Sequence, residues 1–117
     1  VASGQMKHDN TCPSDYVSDG VYGTSLTLLE GGYVRIGKLV LVNARCQLNK
    51  ESGNSGTLYG FPPPILKSAN YVAITGYDGT NEKAVFAYLN SNGSITVPAA
   101  YPHNTGILLL HAMYIAR

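Results

Sequence analysis

The sequence predicts an all-β fold, and three observations carry that reading. Thirteen glycines and six prolines cut the 117 residues into short segments, the punctuation expected between strands. Along Lys38–Leu48, one parity holds Val40, Val42, Ala44, Cys46 and Leu48, as in a strand whose successive side chains point to opposite faces. The two segments arguable as helices fit strands better. "NEKAVFAYL" sits between two glycine turn signals, and "GILLLHAMYIAR" would be apolar all round, which suits no terminal helix of a small domain. The length accommodates one core, hence one domain.

In chain order, strands are expected over Gly23–Leu29, Tyr33–Ile36, Lys38–Leu48, Gly56–Tyr59, Tyr71–Thr75, Ala84–Leu89, Ser94–Val97 and Gly106–Ala116, with a weaker one in Ala2–His8. Glu30-Gly31-Gly32 reads as a link between the first two. Asp78-Gly79 and Asn92-Gly93 supply residues that tolerate positive φ in hairpins. "KESGNS" over Lys50–Ser55 reads as a polar loop at an exposed end. Pro62-Pro63-Pro64 is expected to form a stiff extended crossover, since proline cannot donate to a ladder. No internal repeat or low-complexity tail is visible.

Two strands carry apolar residues on both faces. In the last, Leu108, Leu110, Ala112, Tyr114 and Ala116 occupy one parity, and Ile107, Leu109, Met113 and Ile115 the other, interrupted by His111. Leu39 and Leu41 repeat that second apolar face before Asn43, Arg45 and Gln47 turn it polar. One buried surface is the core of a sandwich. The other is most economically covered by another copy of the chain, because an apolar stripe left in water is what monomers avoid. The expected interface is therefore Leu39, Leu41, Ile107, Leu109, His111, Met113 and Ile115. At its centre His111 is read either as a neutral hydrogen-bonded side chain or as a pH-sensitive contact or axial ion site.

Composition narrows the function classes. Charged residues make up 13% of the chain, with a net charge of +1, against about a quarter in an average soluble domain. No Lys/Arg patch gathers to meet phosphates, so nucleic acid is not an expected partner. No apolar run reaches the roughly 18 residues of a membrane helix, so no membrane insertion is expected. Val1 reads as the start of an excised or processed fragment. Cys12 and Cys46 leave two readings open, a disulfide or a buried thiol at Cys46. They have no neighbouring ligands for zinc.

Four motifs occur in order: "GGYVRIGKLVLVNARCQL", "GTLYGFPPPI", "LNSNGSITV" and "GILLLHAMYIAR". Together they resemble the C-terminal head domains of tailed-bacteriophage and prophage baseplate and tail-fibre proteins, over residues 31–117. Phe61 stands where that family usually has Leu, and "GFPPPI" carries a third proline. The resemblance implies a jelly-roll-like antiparallel β-sandwich, similar to the trimeric heads of tumour-necrosis-factor and complement-type domains. It implies a homotrimer on the virion tail, made in the bacterial cytoplasm, that contacts host cell-surface saccharide or other tail or baseplate proteins. Residues 1–30 match nothing in it and are expected to be an extra strand or stalk connection.

Chemistry for catalysis is sparse. His8, His103 and His111 have no local triad or ligand spacing, and Asp15 with Asp19 lacks the ligand series of a calcium loop. No enzyme activity, cofactor or metal is expected. Tyrosine is abundant instead: nine, with two Phe and no Trp. A saccharide site needs a ring to stack on and a carboxylate or amide to grip hydroxyls. Tyr59, Tyr77 with Asp78, and Tyr101, His103 and Asn104 of "YPHN" offer that combination at strand ends. Asn92-Gly93-Ser94 is formally a glycosylation acceptor, and in a bacterial or viral protein simply a turn. The function expected is a non-enzymatic, receptor-binding tail head. The alternatives are a purely structural trimerisation or tip domain, a secreted lectin-like domain, and, last, a saccharide depolymerase.

Overall fold

In the computed structural model, which describes residues 17–66 and 70–117, every regular element is a strand. They are β1 (Tyr22–Thr24), β2 (Leu26–Ile36), β3 (Leu39–Asn49), β4 (Gly56–Tyr59), β5 (Tyr71–Asp78), β6 (Lys83–Asn90), β7 (Ile95–Val97) and β8 (Thr105–Ile115). All pair antiparallel, in the order β1-β4-β7-β6-β5-β8-β3-β2. The two ends of that order, β1 and β2, are consecutive in the chain and part at Ser25, which takes a positive φ of 61°. The sheet therefore curls back on itself into a nearly closed, barrel-like sandwich. Strands β5, β6 and β7 form a meander and β8 returns beside β5, a Greek key.

The expected all-β antiparallel sandwich is present, with one substantial correction. Glu30-Gly31-Gly32 is not a turn. A single strand, β2, runs through it and pairs with β3 from Leu26↔Leu48 to Ile36↔Leu39. Glycine is needed there for approach rather than reversal: at Gly31 (φ 89°) a Cβ would collide with the carbonyl oxygen of Asn43. A bulge between Leu28 and Glu30 then shifts the alternation by one residue, as an extra unpaired residue must. Leu26 and Leu28 share a face with Leu48 and Cys46, whereas past the bulge Gly31 and Tyr33 share that face with Ala44 and Val42. The strand expectation in Ala2–His8 lies outside the described residues, as does Cys12. Val17 bridges to Tyr33 and β1 pairs with β4. A boundary between residues 30 and 31 thus falls inside a continuous strand, and residues 17–30 belong to the sandwich.

The inward parity of each strand makes the core. Val40, Cys46, Leu48, Leu108 and Leu110 of the β3–β8 pair are fully buried, as are Leu58, Val85, Leu89, Ile95 and Val97 from the opposite wall. Each such side chain contributes roughly 1.5–3 kcal/mol. Cys46 is a free buried thiol, and burial pushes its pKa up to about 12. The triple proline caps one end of β8. Tyr114 donates its hydroxyl to the Pro62 carbonyl at 2.7 Å, Arg117 N–H donates to Pro63 O at 2.9 Å, and Ile65 N–H to Ile115 O at 2.9 Å.

Candidate functional site

The hairpin between β5 and β6 turns at Asp78-Gly79, and the loop after β7 runs past the same end of the barrel. Four residues expected to bind ligand, Asp78, Tyr101, His103 and Asn104, are thereby gathered there, but Asp78 and Tyr101 turn their polar atoms inward, while His103 is half-buried and Asn104 exposed. Asp78 is fully buried. Its Oδ2 accepts from the Tyr101 hydroxyl at 2.6 Å and from Asn81 Nδ2 at 2.7 Å; its Oδ1 accepts from the backbone N–H groups of Thr80 and Asn81, each at 3.0 Å. Burial alone would raise the Asp78 pKa. The hydrogen bonds from Asn81, Tyr101 and Thr80 outweigh it and hold the carboxyl below its ordinary value, because they stabilise the charged form. Tyr101 is the converse: burial and the adjacent carboxylate both drive its hydroxyl well above the usual tyrosine range.

The rest of this end is fastened to the same group. Asn81 Nδ2 also donates to Thr105 O at 2.9 Å, and Ile107 N–H donates to Thr80 Oγ1 at 3.1 Å. Gly106 makes room for the carboxylate, since a Cβ there would stand 2.7 and 2.8 Å from its two oxygens. Asn104 accepts from Lys50 at both main chain (2.8 Å) and side chain (3.2 Å). Lys50, expected in an exposed loop, is buried except for 4% of its surface. His103 lies edge-on to Tyr101, with ring centroids 5.7 Å apart. The arrangement is an internal latch, and a ligand hydroxyl finds no free acceptor on Asp78.

The two remaining tyrosines are elsewhere. Tyr59, on β4, stacks on the exposed Tyr22 at 5.0 Å. Tyr77 faces outward beside Leu109, on the same side as the expected interface residues. Their register is Leu39↔Ile115, Leu41↔Met113, Asn43↔His111, Arg45↔Leu109 and Gln47↔Ile107. Met113 is 68% exposed and Ile115 49%; Ile36, paired with Leu39, is 53% exposed. The face is divided. Its apolar part lies toward Ile36 and Ile115, and a row of Asn43, His111 and Thr75 separates it from the Glu30–Arg45 ion pair. That pair is solvated at 3.5 Å and contributes little.

A feature that sequence reasoning missed lies on the far side of the latch. Phe86, 65% exposed, stands beside a hollow of about 290 Å3 with Ala84, Lys83, Pro98, Ala100 and Pro102, and the ring of Tyr101 completes the wall. The signal was in the alternation of β6: Val85, Ala87 and Leu89 are inward, which leaves Phe86 on the other parity. Among the described residues no three His, Cys, Asp or Glu side chains converge as metal ligands would. No family model, curated protein or solved structure matches this chain, so the likeness to phage tail-protein heads rests on the sequence motifs.

Proposed function

We propose that this chain is a non-enzymatic head domain of a phage or prophage tail or baseplate protein. In this reading three copies associate through the outer face of β3 and β8, and the assembled head contacts a host-surface saccharide on adsorption. The observation that carries self-association is the apolar part of that face. Met113, Ile115 and Ile36 each expose about half of their surface or more, 49% at the least, and Leu39 and Leu41 lie between them. Contiguous apolar surface of this kind marks association sites in soluble proteins, and the apolar core of an interface is what its assembly buries. The phage assignment and the count of three come from the sequence motifs.

Light scattering on the wild-type chain and on Met113→Asp tests the assembly. Met113 is so exposed that the variant keeps its fold, and the expected result is a mass near three chains falling to one. A wild type that stays monomeric at high concentration overturns it. A second reading, a structural tip without receptor, is favoured by one observation. Asp78, the carboxylate best suited to grip sugar hydroxyls, is buried and engaged by Tyr101, and the side-chain oxygen of the exposed Asn104 already accepts from Lys50. Binding of the assembled wild type to immobilised host-wall glycans decides between the two.

A further inference from the structure

We infer that the outer edge of β6 at Ala84 and Phe86, with the hollow beside it, takes up an extended segment of another polypeptide as an added strand. Along β6 every residue from Lys83 to Asn90 pairs with β5, but only Tyr88 and Leu89 pair with β7. Asn90 donates its N–H to Ser94 O across the β7 side. Backbone groups alternate between the two edges of a strand, so the N–H and C=O groups of Phe86 and Ala84 point to the β7 side as well. There they meet no strand. β7 ends at Val97, and Pro98 starts a turn closed by Tyr101 N–H to Pro98 O at 3.1 Å. Among the described residues no backbone or side-chain hydrogen bond reaches Ala84 or Phe86 from that loop.

The hollow borders this open stretch, between β6 and the loop of Pro98, Ala100 and Pro102. Its walls are apolar apart from Lys83. They suit a hydrophobic side chain and include no carboxylate or side-chain amide to grip sugar hydroxyls, which separates this site from a saccharide site. Strand addition uses this combination: main-chain bonds supply affinity and a pocket for alternate side chains supplies selectivity. An exposed edge left without Lys, Pro or a bulge at its centre is also the kind that other chains pair with. Lys83 is exposed at the rim, and no carboxylate among the described residues forms an ion pair with it. The segment that fits is extended, runs antiparallel to β6 as β7 does, seats one apolar or aromatic side chain against Phe86, and carries an acidic residue toward Lys83. The latch matters here too, because the bond from Tyr101 to Asp78 fixes the loop that walls the hollow.

Amide hydrogen exchange is the first test. In the free wild type, the N–H groups of Ala84 and Phe86 should exchange far faster than those of Val85 and Ala87. Slow exchange at Ala84 and Phe86 would mean that the edge is already bonded, and would overturn the inference. The second test selects binders to the wild type from a library of random linear peptides. Enriched sequences should alternate apolar residues with at least one acid, and their binding should slow exchange at Ala84 and Phe86. Phe86→Ala, which removes an exposed ring and leaves the core intact, should weaken them by roughly tenfold or more; Lys83→Glu should weaken the acidic ones selectively. The inference fails if no peptide is enriched, if the peptides bind Phe86→Ala as well as wild type, or if they protect other amides. Binding of a glycan but no peptide at Phe86 also refutes it.

Discussion

Leu109 and Leu110 are neighbours of the same chemical type on one strand, yet they inhabit different environments. Leu110 is fully buried against the opposite wall, whereas Leu109 is 38% exposed beside Tyr77 and Arg45. The same contrast runs the length of β3 and β8. Their inner face is covered by β4, β6 and β7, and their outer face, almost as apolar over half its area, has no covering element among the described residues. The difference teaches that an apolar parity identifies a surface fit to be buried without identifying what buries it. For the inner face the chain supplies the cover. For the outer face, in our proposal, another copy does.

Substitution at the paired leucines is the strongest way to break this comparison. Leu110→Ala should cost about 2–5 kcal/mol, the range for a buried leucine truncated in a tight core. Leu109→Ala, measured at concentrations where the chain is monomeric, should cost under about 1 kcal/mol. Urea denaturation of both variants gives the answer. Equal losses would show that a segment of the same chain covers the outer face.

The latch sets a second, intermediate expectation. Tyr101→Phe removes one donor from a buried carboxylate and should destabilise by roughly 1.5–3 kcal/mol, as for other bonds to charged groups. The pH dependence has a definite sign. Asp78 is held below its ordinary pKa in the folded chain. Its contribution is therefore complete above the unfolded carboxylate value, near ~3.9, and is lost as the pH falls through the folded value. Unfolding midpoints should drop below about pH 4, and Asp78→Asn, less stable at neutral pH, should show a flatter acid limb. An unchanged limb would remove Asp78 from the account.

The smallest effect sharpens the inner face alone. With its pKa pushed up to about 12 by burial, Cys46 holds almost no thiolate at neutral pH, and thiolate is the reactive form. In a Cys12→Ser background, a thiol reagent should label native protein very slowly and unfolded protein at once. Rapid native labelling would show that the inner face opens readily.

Much of the strand plan was legible because alternation and turn chemistry are local. Gly56–Tyr59 is read correctly to the residue, and β8 differs from its expectation by one residue at each end. The misreadings involve distant partners. Nothing near Gly31 reveals that the Asn43 carbonyl will press against it, so a Gly-Gly pair in a strand looks like a turn. The candidate site shows the same limit. That Tyr77-Asp78 and "YPHN" hold aromatic and polar groups is written in the sequence, but the closure of Tyr101 onto Asp78 depends on where two loops meet. Phe86 was legible from parity, whereas the open edge beside it follows only from where β7 stops.

The position of β8 has a consequence for how the chain is made. It lies between β3 and β5 in the middle of the sheet, and it is the last strand in sequence, with Leu39 paired to Ile115. Until the ribosome has released β8, neither β3 nor β5 has a neighbour on that side, and the inner face of β3 lacks the flanking side chains of Leu108 and Leu110. Such long-range pairing is slow to form, and a half-built sheet with open edges is prone to aggregate. The barrel therefore closes only once β8 has emerged, so a chain stopped short of β8 is left as sticky, unfinished strands rather than as a smaller folded domain.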